Sequence, residues 1–261
     1  MGNKNKLAII TGATGGFGYS YAKHYASSGY DLLLTARDTP KLNAISTELR
    51  EKYNVAIETV SADLSLKKDI DMLANRFVSL ERIDALINSA GYSERSLFLN
   101  EDMEQVESML NVHIQSTITL VHAVLPVMIK QRGGTIITVS SLAAFAPAPG
   151  SSIYASSKAL LNSFMQSVYM EVQQYNIKVQ SLCPGLTHTG FHKGAGIESV
   201  SKGKRLWMEA DEVVRASFRA LKKGKVIYVP GSMNKVIRML TQFSPRRWYY
   251  FFAGRIARQF A

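Results

Sequence analysis

Short apolar runs and longer amphipathic stretches alternate along the chain. The apolar runs predict buried strands at residues 7–10, 30–36, 55–61, 83–88, 135–139, 177–182 and 226–229. Between them, apolar residues recur at helical spacing in 19–28, 41–53, 67–80, 101–131, from Tyr154 onward and in 211–222, where Asp211 is the expected N-cap. Strands that alternate with helices in this way predict an α/β fold, with a parallel sheet of about seven strands and helices on both of its faces.

Four glycines stand between the first strand and the first helix: Gly12, Gly15, Gly16 and Gly18. Glycine lets a backbone approach a pyrophosphate closely, and the free N–H groups at the start of a helix attract its negative charge. The spacing Gly12-x3-Gly16-x-Gly18 differs from the commoner G-x-G-x-x-G pattern, so a plain glycine-rich turn is the alternative. The position of this turn in the first βα unit favours dinucleotide binding.

The second predicted strand ends at Ala36 and is followed by Arg37 and Asp38. NAD-selective sites carry an acidic residue near this point, and it accepts hydrogen bonds from the adenosine ribose. A cation suits the 2′-phosphate of NADP(H), which an acidic residue would repel. We therefore expect NADP(H) rather than NAD(H) as the cofactor. A solvated Arg37 is the alternative, and the neighbouring Asp38 weakens the preference.

The later predicted strands also end in small or polar residues, at the edge where such sheets bind ligands. These strand ends are Asp63, Asn88-Ser89-Ala90-Gly91, Ser140-Ser141 and Pro184. Tyr154 and Lys158 stand four residues apart in a predicted helix and therefore share one of its faces. A neighbouring ammonium lowers the pKa of a phenol from about 10, so we expect Tyr154 to exchange a proton near neutral pH. Taken alone, this pair is better explained as an ordinary Tyr and Lys on a surface helix.

As an ordered set, these motifs resemble the short-chain dehydrogenase/reductase family over residues 6 to about 230. The matching motifs are Thr11-Gly12-x3-Gly16-x-Gly18, Asn88-Ser89-Ala90-Gly91, Asn111, Ser141, Tyr154-x3-Lys158 and Pro184-Gly185 with Thr189. The thirteen-residue step from Ser141 to Tyr154 is typical of the family and selects Ser141 over Ser140. Two departures are Ser89, where the family usually has a second Asn, and the missing acidic residue after the second strand.

The resemblance implies one Rossmann-type, doubly wound domain. Residues 1–230 would bind the dinucleotide and carry catalysis, and residues 231–261 would form a basic amphipathic helical extension of the same domain. The implied activity is NADP(H)-dependent hydride transfer to a carbonyl or from a secondary alcohol. Tyr154 would be the acid or base, Lys158 would lower its pKa and hold the nicotinamide ribose, and Ser141 would donate to the substrate oxygen. Asn111 would anchor a water in a proton relay.

The expected cofactor contacts include both Tyr154 and Lys158. The others are Gly12, Thr14, Gly15, Gly16, Phe17, Gly18, Arg37, Asp63, Leu64, Asn88, Ala90, Gly91, Pro184, Gly185, Thr187 and Thr189. No metal is expected, because the five histidines show no tight ligand spacing and His188-x3-His192 is interpreted as loop polarity.

Two segments, residues 142–149 and 186–204, are expected to flank an apolar substrate. Their apolar side chains, with Ile153, are Leu142, Phe145, Leu186 and Phe191, and Gly190, Gly194, Gly196 and Gly203 suggest a mobile lid. A non-catalytic dinucleotide-binding regulator or scaffold stays open as an alternative, as does a membrane-associated lipid or acyl-chain reductase. A sugar-nucleotide epimerase is disfavoured because it usually needs a larger C-terminal substrate domain.

Charge is concentrated at one end of the 261-residue chain. Residues 1–200 contain seventeen Lys/Arg and seventeen Asp/Glu, whereas residues 201–261 contain fourteen and three, which accounts for the whole net charge of +11. The excess positive charge therefore needs an explanation that is specific to the C-terminal segment. No recognisable nucleic-acid-binding fold accompanies this charge, so no nucleic-acid partner is expected. The single cysteine, Cys183, excludes an intrachain disulfide and fits a cytoplasmic protein.

The basic tail has an apolar stripe, with Trp248, Phe252, Ile256 and Phe260 recurring every four residues. Pro245 is expected to separate this helix from an earlier one at 235–243. The helix could pack on its own domain or on a partner subunit, as in the homodimer or homotetramer that the family resemblance implies. The other interpretation is an interfacial helix, with aromatic side chains in lipid and arginines at anionic headgroups, which would give peripheral membrane contact through residues 231–261.

Overall fold

The computed structural model describes residues 6–189 and 207–257, and it contains a parallel sheet of seven strands. The strands are β1 Leu7–Thr11, β2 Asp31–Ala36, β3 Ile57–Ser61, β4 Ala85–Asn88, β5 Gly134–Val139, β6 Ile177–Leu182 and, at the far edge, β9 Ile227–Tyr228. Their spatial order is β3-β2-β1-β4-β5-β6-β9, and every neighbouring pair is parallel. The predicted doubly wound α/β fold is confirmed.

Helices connect the strands and cover both faces of the sheet. They are α1 Gly16–Ser27, α2 Thr39–Tyr53, α3 Lys67–Val78, α4 Met103–Leu110, α5 Ser116–Lys130, α6 Ser152–Val172, α7 Ala210–Lys222, α8 Ser232–Phe243 and α9 Arg246–Ala257. The sequence did not predict a second, two-stranded sheet of β7 Thr187–His188 and β8 Met208–Glu209. Two residues per strand are too few to produce a recognisable apolar pattern.

Successive strand residues alternate between two apolar clusters, one on each face of the sheet. Ile10 and Leu34 pack with α1, whereas Ile9, Leu33 and Leu86 pack with α3 and α5. Because both faces are covered by helices, the strands are continuous apolar runs rather than alternating patterns. This explains why short unbroken runs in the sequence locate the strands.

The predicted helix at 101–131 is interrupted. It consists of α4 and α5 joined by a π-helical segment, Asn111–Gln115, and the side chain of Asp102 caps its start by accepting from the Glu104 N–H at 3.0 Å. The π segment keeps the same residues inside, so apolar periodicity does not reveal it. Residues 103–130 are long and apolar enough to span a membrane, but half of the most apolar window is buried in this domain, where α5 packs on α3.

The prediction that Asp211 is an N-cap is wrong. Helix α7 begins at Ala210, so Asp211 lies within its first turn. Its carboxylate accepts hydrogen bonds from Ser20 Oγ at 2.5 Å and Lys23 Nζ at 2.7 Å on α1. These contacts lower the pKa of Asp211 against the opposing effect of burial, and they attach α7 to α1.

Candidate active site

A cavity of about 570 Å³ opens at the carboxyl ends of the central strands. The strand order reverses between β1 and β4, and a crevice at such a point is the usual binding site in doubly wound sheets. The cavity brings together most of the residues that the sequence selected. Of the predicted set it is lined by Gly12, Thr14, Gly15, Gly16, Phe17, Arg37, Asp63, Leu64, Ala90, Gly91, Ser141, Tyr154, Lys158, Pro184, Gly185, Thr187 and Thr189.

The glycine-rich turn is shaped by close backbone contacts. Gly12 has φ +66°, and a Cβ placed there would lie 2.8 Å from the Ala90 backbone. Gly16 has φ +50°, and its Cβ would lie 2.9 Å from Thr189 Cβ. A Cβ on Gly18 would collide with the carbonyl oxygen of Gly12. These three positions therefore need glycine for the fold of the turn itself.

The same turn presents the start of α1 to the cavity. Gly15 is the N-cap residue, its side-chain direction is open, and the first turn of α1 contains no acidic residue. The unpaired N–H groups and the positive end of the helix dipole therefore suit a negatively charged group. Thr11 Oγ1 accepts from the N–H groups of Ser89 and Ala90, at 3.1 and 3.2 Å, and so joins β1 to the turn after β4.

Arg37 and Asp63 lie together at one end of the cavity. The side chain of Arg37 is 68% exposed, and its Nη1 lies 4.0 Å from Asp63 Oδ2. The Asp38 carboxylate accepts from the Lys41 N–H at 3.0 Å and thereby caps α2. Asp38 is therefore engaged in the fold, while the guanidinium of Arg37 faces the region that lies beyond β2.

Tyr154, Lys158 and Ser141 meet at the opposite end of the cavity. Helix α6 places Tyr154 and Lys158 one turn apart, and Lys158 Nζ lies 5.6 Å from the Tyr154 ring centroid. Lys158 is 4% exposed and donates to the Val139 carbonyl at 3.1 Å. Ser141 hydrogen-bonds to Tyr154 and also accepts from the Ala143 N–H at 3.1 Å. Ser140 instead donates to the Lys158 carbonyl at 2.9 Å and holds the helix.

The predicted lowering of the pKa of Tyr154 is not found. Burial raises the pKa of Tyr154 to about 12, with the hydrogen bond to Ser141 acting in the opposite direction. Burial likewise lowers the pKa of Lys158 to about 8, because an ammonium loses its hydration in the protein interior. At neutral pH both groups are protonated, so the site holds a neutral phenol beside a cation.

A buried histidine that the sequence did not select connects α6 to the turn after β4. His113 Nε2 accepts from the Tyr92 N–H at 3.2 Å, which leaves Nδ1 protonated to donate to Ser157 Oγ at 3.0 Å. Ser157 Oγ in turn donates to the Tyr154 carbonyl at 2.8 Å. Burial, and then the charge of Lys158, keep the pKa of His113 well below its usual value. His113 was missed because a lone histidine in a helix matches no motif.

Three predicted site residues do not line the cavity. The Asn111 side chain donates to the Ser65 carbonyl at 3.0 Å, which is the backbone-bonded state expected of an ordinary helix residue. Asn88 donates to Thr138 Oγ1 at 3.3 Å, and Gly18 packs beneath the turn. Each of the three is the chain neighbour of a residue that does line the cavity, namely Val112, Ser89 and Phe17.

Only some of the apolar side chains that were expected to flank the substrate line the cavity. Leu142 and Leu186 line the cavity, whereas Phe145 and Ile153 do not. Phe145 is instead covered by Arg238 of α8, whose guanidinium lies 4.5 Å from the ring centroid. Phe191, the four lid glycines and His192 lie outside the described residues. The predicted segment 142–149 also contributes Ala143, Ala146 and Ala148, and Ser89 and Ser140 line the cavity at the predicted strand ends. The sequence missed the rest of the lining, namely Thr35, Ala36, Asp38, Ala62, Tyr92, Ser93, Arg95, Val112, Val139 and Ser151.

His188 and Cys183, two further polar groups near the site, are held in structural environments. His188 stacks on Trp207 at 4.7 Å between ring centroids, and burial raises the pKa of Cys183 to about 11, which makes it an unreactive thiol. Within residues 6–189 and 207–257, no group of three His, Cys, Asp or Glu side chains is close enough to hold a metal ion.

Comparison with known proteins identifies the family. The sequence model of the family described as short chain dehydrogenase matches residues 6–198. The chain belongs to this family. An uncharacterized oxidoreductase of Staphylococcus epidermidis is 32% identical over 219 residues, which cover 84% of this chain and 91% of that protein. The mouse very-long-chain 3-oxoacyl-CoA reductase is 30% identical over 254 residues, covering 94% of this chain and 77% of that protein.

A solved relative supports the assignment. The short-chain dehydrogenase of Sphingobium yanoikuyae, determined in complex with NADPH, is 30% identical and superimposes with a TM-score of 0.82, covering 97% of this chain and 95% of that one. The present chain is therefore an oxidoreductase of this family that uses a nicotinamide cofactor. The glycine-rich turn, the open start of α1 and a cavity lined by both Arg37 and Tyr154 fit such a dinucleotide.

Proposed function

We propose that the protein is an NADP(H)-dependent oxidoreductase that transfers a hydride between the nicotinamide and a carbonyl or secondary alcohol of an apolar substrate. The observation that carries the proposal is the meeting of Tyr154, Lys158 and Ser141 in a cavity whose other end is the glycine-rich turn. A non-catalytic dinucleotide-binding protein would not need a phenol, an ammonium and a hydroxyl at one point, so that alternative is disfavoured.

Each side chain has a role that its environment supports. When bound, the cofactor supplies or accepts the hydride. Tyr154 then gives its proton to the carbonyl oxygen. Burial raises the pKa of this phenol, so it is protonated at neutral pH, and the nearby charge of Lys158 must assist the release of the proton. Ser141 donates a hydrogen bond to the same oxygen as negative charge develops there. The protonated Lys158 holds the ribose hydroxyls and stabilises the phenolate left on Tyr154.

The proton-relay role of Asn111 stays a prediction. Its amide is held by the Ser65 carbonyl, and the π-helical segment that begins at Asn111 gives its own carbonyl the Ser116 N–H as a partner. The Asn111 side chain is therefore already occupied. A proton relay at this position would have to use the backbone carbonyl of Asn111, beside the cavity residue Val112.

The preference for NADP(H) is supported by the division of contacts after β2. Arg37 faces the cavity end where the adenosine ribose is expected, whereas the Asp38 carboxylate is occupied by capping α2. The cap occupies Oδ1 of Asp38 and ties its carboxylate to the start of α2, which favours Arg37 over Asp38 as the partner of the ribose substituent. NADPH in the Sphingobium yanoikuyae relative agrees with this preference.

An apolar carbonyl substrate is supported by the lining beyond Ser141. This part of the wall consists of Leu142, Ala143, Ala146, Ala148 and Leu186. The mouse relative is named for very-long-chain 3-oxoacyl-CoA, so a 3-oxoacyl chain belongs among the substrates to be tested.

The test is NADPH oxidation by the purified protein against a panel of ketones, aldehydes and 3-oxoacyl thioesters, followed at the absorbance of the reduced nicotinamide. Tyr154→Phe should reduce turnover by about a hundredfold to ten-thousandfold, the range for losing a general acid, and should leave the dissociation constant of NADPH nearly unchanged. Turnover retained in this variant would remove Tyr154 from the mechanism. Tyr92→Phe is the matched control, because the Tyr92 hydroxyl is held by Ser108 Oγ on α4 at 3.0 Å and not by the acid, so its loss should leave turnover nearly unchanged.

A further inference from the structure

The polar face of helix α8 points inward. Its Asn234 is buried and donates to the Pro230 carbonyl at 2.8 Å, and Arg238 covers the ring of Phe145. The opposite face carries large apolar side chains with exposed fractions from 44% to 81%. These are Met233, Val236, Met239, Leu240 and Phe243. The helix is amphipathic, but it is inverted relative to a helix that packs its apolar face on a core.

Helix α9 extends this apolar surface. The Tyr249 hydroxyl donates to the Pro147 carbonyl at 2.6 Å and holds α9 against the segment that follows Ser141. The remaining aromatic side chains of its first two turns are 57% to 66% exposed. These are Trp248, Tyr250, Phe251 and Phe252. Nine large apolar side chains on two consecutive helices exceed the scattered exposure of an ordinary surface, and they indicate an interaction site.

The charge of the same segment decides what it binds. Residues 231–261 carry no acidic residue and six basic ones, Lys235, Arg238, Arg246, Arg247, Arg255 and Arg258. A second copy of the chain would bring an equally cationic surface into contact, and like charges across an interface are unfavourable. An anionic bilayer matches both properties, because apolar side chains enter the acyl region while guanidinium groups meet the headgroups.

We propose that α8 and α9 form a membrane-docking surface for anionic lipid. Tryptophan and tyrosine prefer the headgroup level, where one side of the ring is apolar and the other is hydrated, and this surface exposes Trp248 and Tyr250. Because α8 contacts Phe145 and α9 contacts Pro147, docked lipid lies beside the segment that forms the substrate end of the cavity.

The experiment is co-sedimentation of the full chain with vesicles of phosphatidylcholine alone or mixed with phosphatidylglycerol. We expect binding to the anionic vesicles, weaker binding to the neutral ones, and a decrease with salt as headgroup attraction is screened. The triple variant Leu240→Ser/Phe243→Ser/Trp248→Ser should lose at least tenfold in partitioning. Arg246→Gln/Arg247→Gln should lose about tenfold or more on anionic vesicles and little on neutral ones.

The matched control is Phe98→Ser/Leu99→Ser. These side chains are 58% and 93% exposed, but they lie between Glu94 and Glu101, where anionic lipid is repelled. This control should sediment like the wild type, and retained NADPH binding in every variant shows that the fold is intact. The proposal is overturned if the wild type does not sediment or the triple variant sediments equally. It is also overturned if the same substitutions dissociate a lipid-free dimer in analytical ultracentrifugation, which would assign the surface to a second copy.

Discussion

Adjacent residues after β2 have different partners. The Asp38 carboxylate accepts a hydrogen bond from the Lys41 N–H. Arg37 has one distant ion pair with Asp63, and its side chain is largely exposed. A phosphate bound there would gain a charge-assisted hydrogen bond without breaking a helix cap. The sequence showed which residues stand at this position, but only the structure shows that Asp38 is engaged elsewhere.

Arg37→Gln is therefore expected to raise the dissociation constant of NADPH by about tenfold or more, since a hydrogen bond to a charged group contributes about 1.5–3 kcal/mol. The dissociation constant of NADH should hardly change, because NADH has no 2′-phosphate. Intrinsic fluorescence titration measures both constants. Lys41→Gln removes a cation from the same exposed edge outside the cavity and should leave both constants unchanged. Equal weakening of NADPH and NADH would show that Arg37 does not distinguish them.

His113 makes stability depend on pH. It stays neutral in the folded protein, because its pKa is held well below the usual value, whereas in the unfolded chain it takes a proton near pH 6.5. Below that pH the unfolded state binds the extra proton, so the free energy of unfolding falls with a slope of up to about 1.4 kcal/mol per pH unit from this residue.

The prediction is a decline in the free energy of unfolding between about pH 6.5 and pH 5, above the range where carboxylates titrate. Urea titrations at several pH values measure it. His113→Leu should reduce the decline to the part that comes from His24, whose pKa burial also lowers, and should lower the free energy of unfolding at pH 7.5 by about 1–3 kcal/mol because the Tyr92 N–H loses its acceptor. His122→Leu, at an exposed position of α5, is the control and should retain the wild-type slope. A variant His113→Leu with an unchanged slope would contradict the assignment.

The glycine-rich turn and α1 form one closely packed element. Gly18→Ala would place a methyl group on the Gly12 carbonyl, so either the helix or the turn must move. We expect a loss of about 1–3 kcal/mol in the free energy of unfolding, the usual cost of overpacking, together with weaker NADPH binding. Thermal denaturation and cofactor titration measure the two effects. Gly133→Ala has no neighbouring atom within 4 Å and should be close to neutral. A Gly18→Ala variant that keeps both properties would show that the turn yields easily.

Elements were predictable from sequence where burial on both faces left a continuous apolar run. The strand Leu7–Thr11 and its glycine turn are of this kind, and so is the Tyr154-x3-Lys158 pair, whose helical spacing alone brings the two side chains together. The π-helical segment at Asn111–Gln115 was not predictable, because a shift from i+4 to i+5 hydrogen bonds leaves the apolar pattern intact. The periodicity of α8 shows that one face of the helix is apolar, but it does not show whether that face points toward the domain or toward solvent.

At the scale of the whole molecule, the cavity joins the two halves of the sheet. Arg37 and the glycine turn belong to the half that begins at β1, whereas Tyr154, Pro184 and Thr187 belong to the half that follows β4. A ligand that contacts both halves binds only the folded protein, so it stabilises by mass action. The first half carries the expected phosphate contact and the second carries the expected chemistry, and the response to ligand should report on both.

NADPH at about a hundred times its dissociation constant should add about 2.7 kcal/mol to the free energy of unfolding. For a chain of this length that corresponds to a rise in Tm of about 5–10 °C, measured by differential scanning fluorimetry. NADH at the same concentration should give a smaller shift, because it lacks the phosphate expected at Arg37. In Tyr154→Phe the NADPH shift should persist, since the phenol contributes to proton transfer more than to binding. Equal shifts with NADPH and NADH would contradict the cofactor preference, and no shift with either would contradict dinucleotide binding in this cavity.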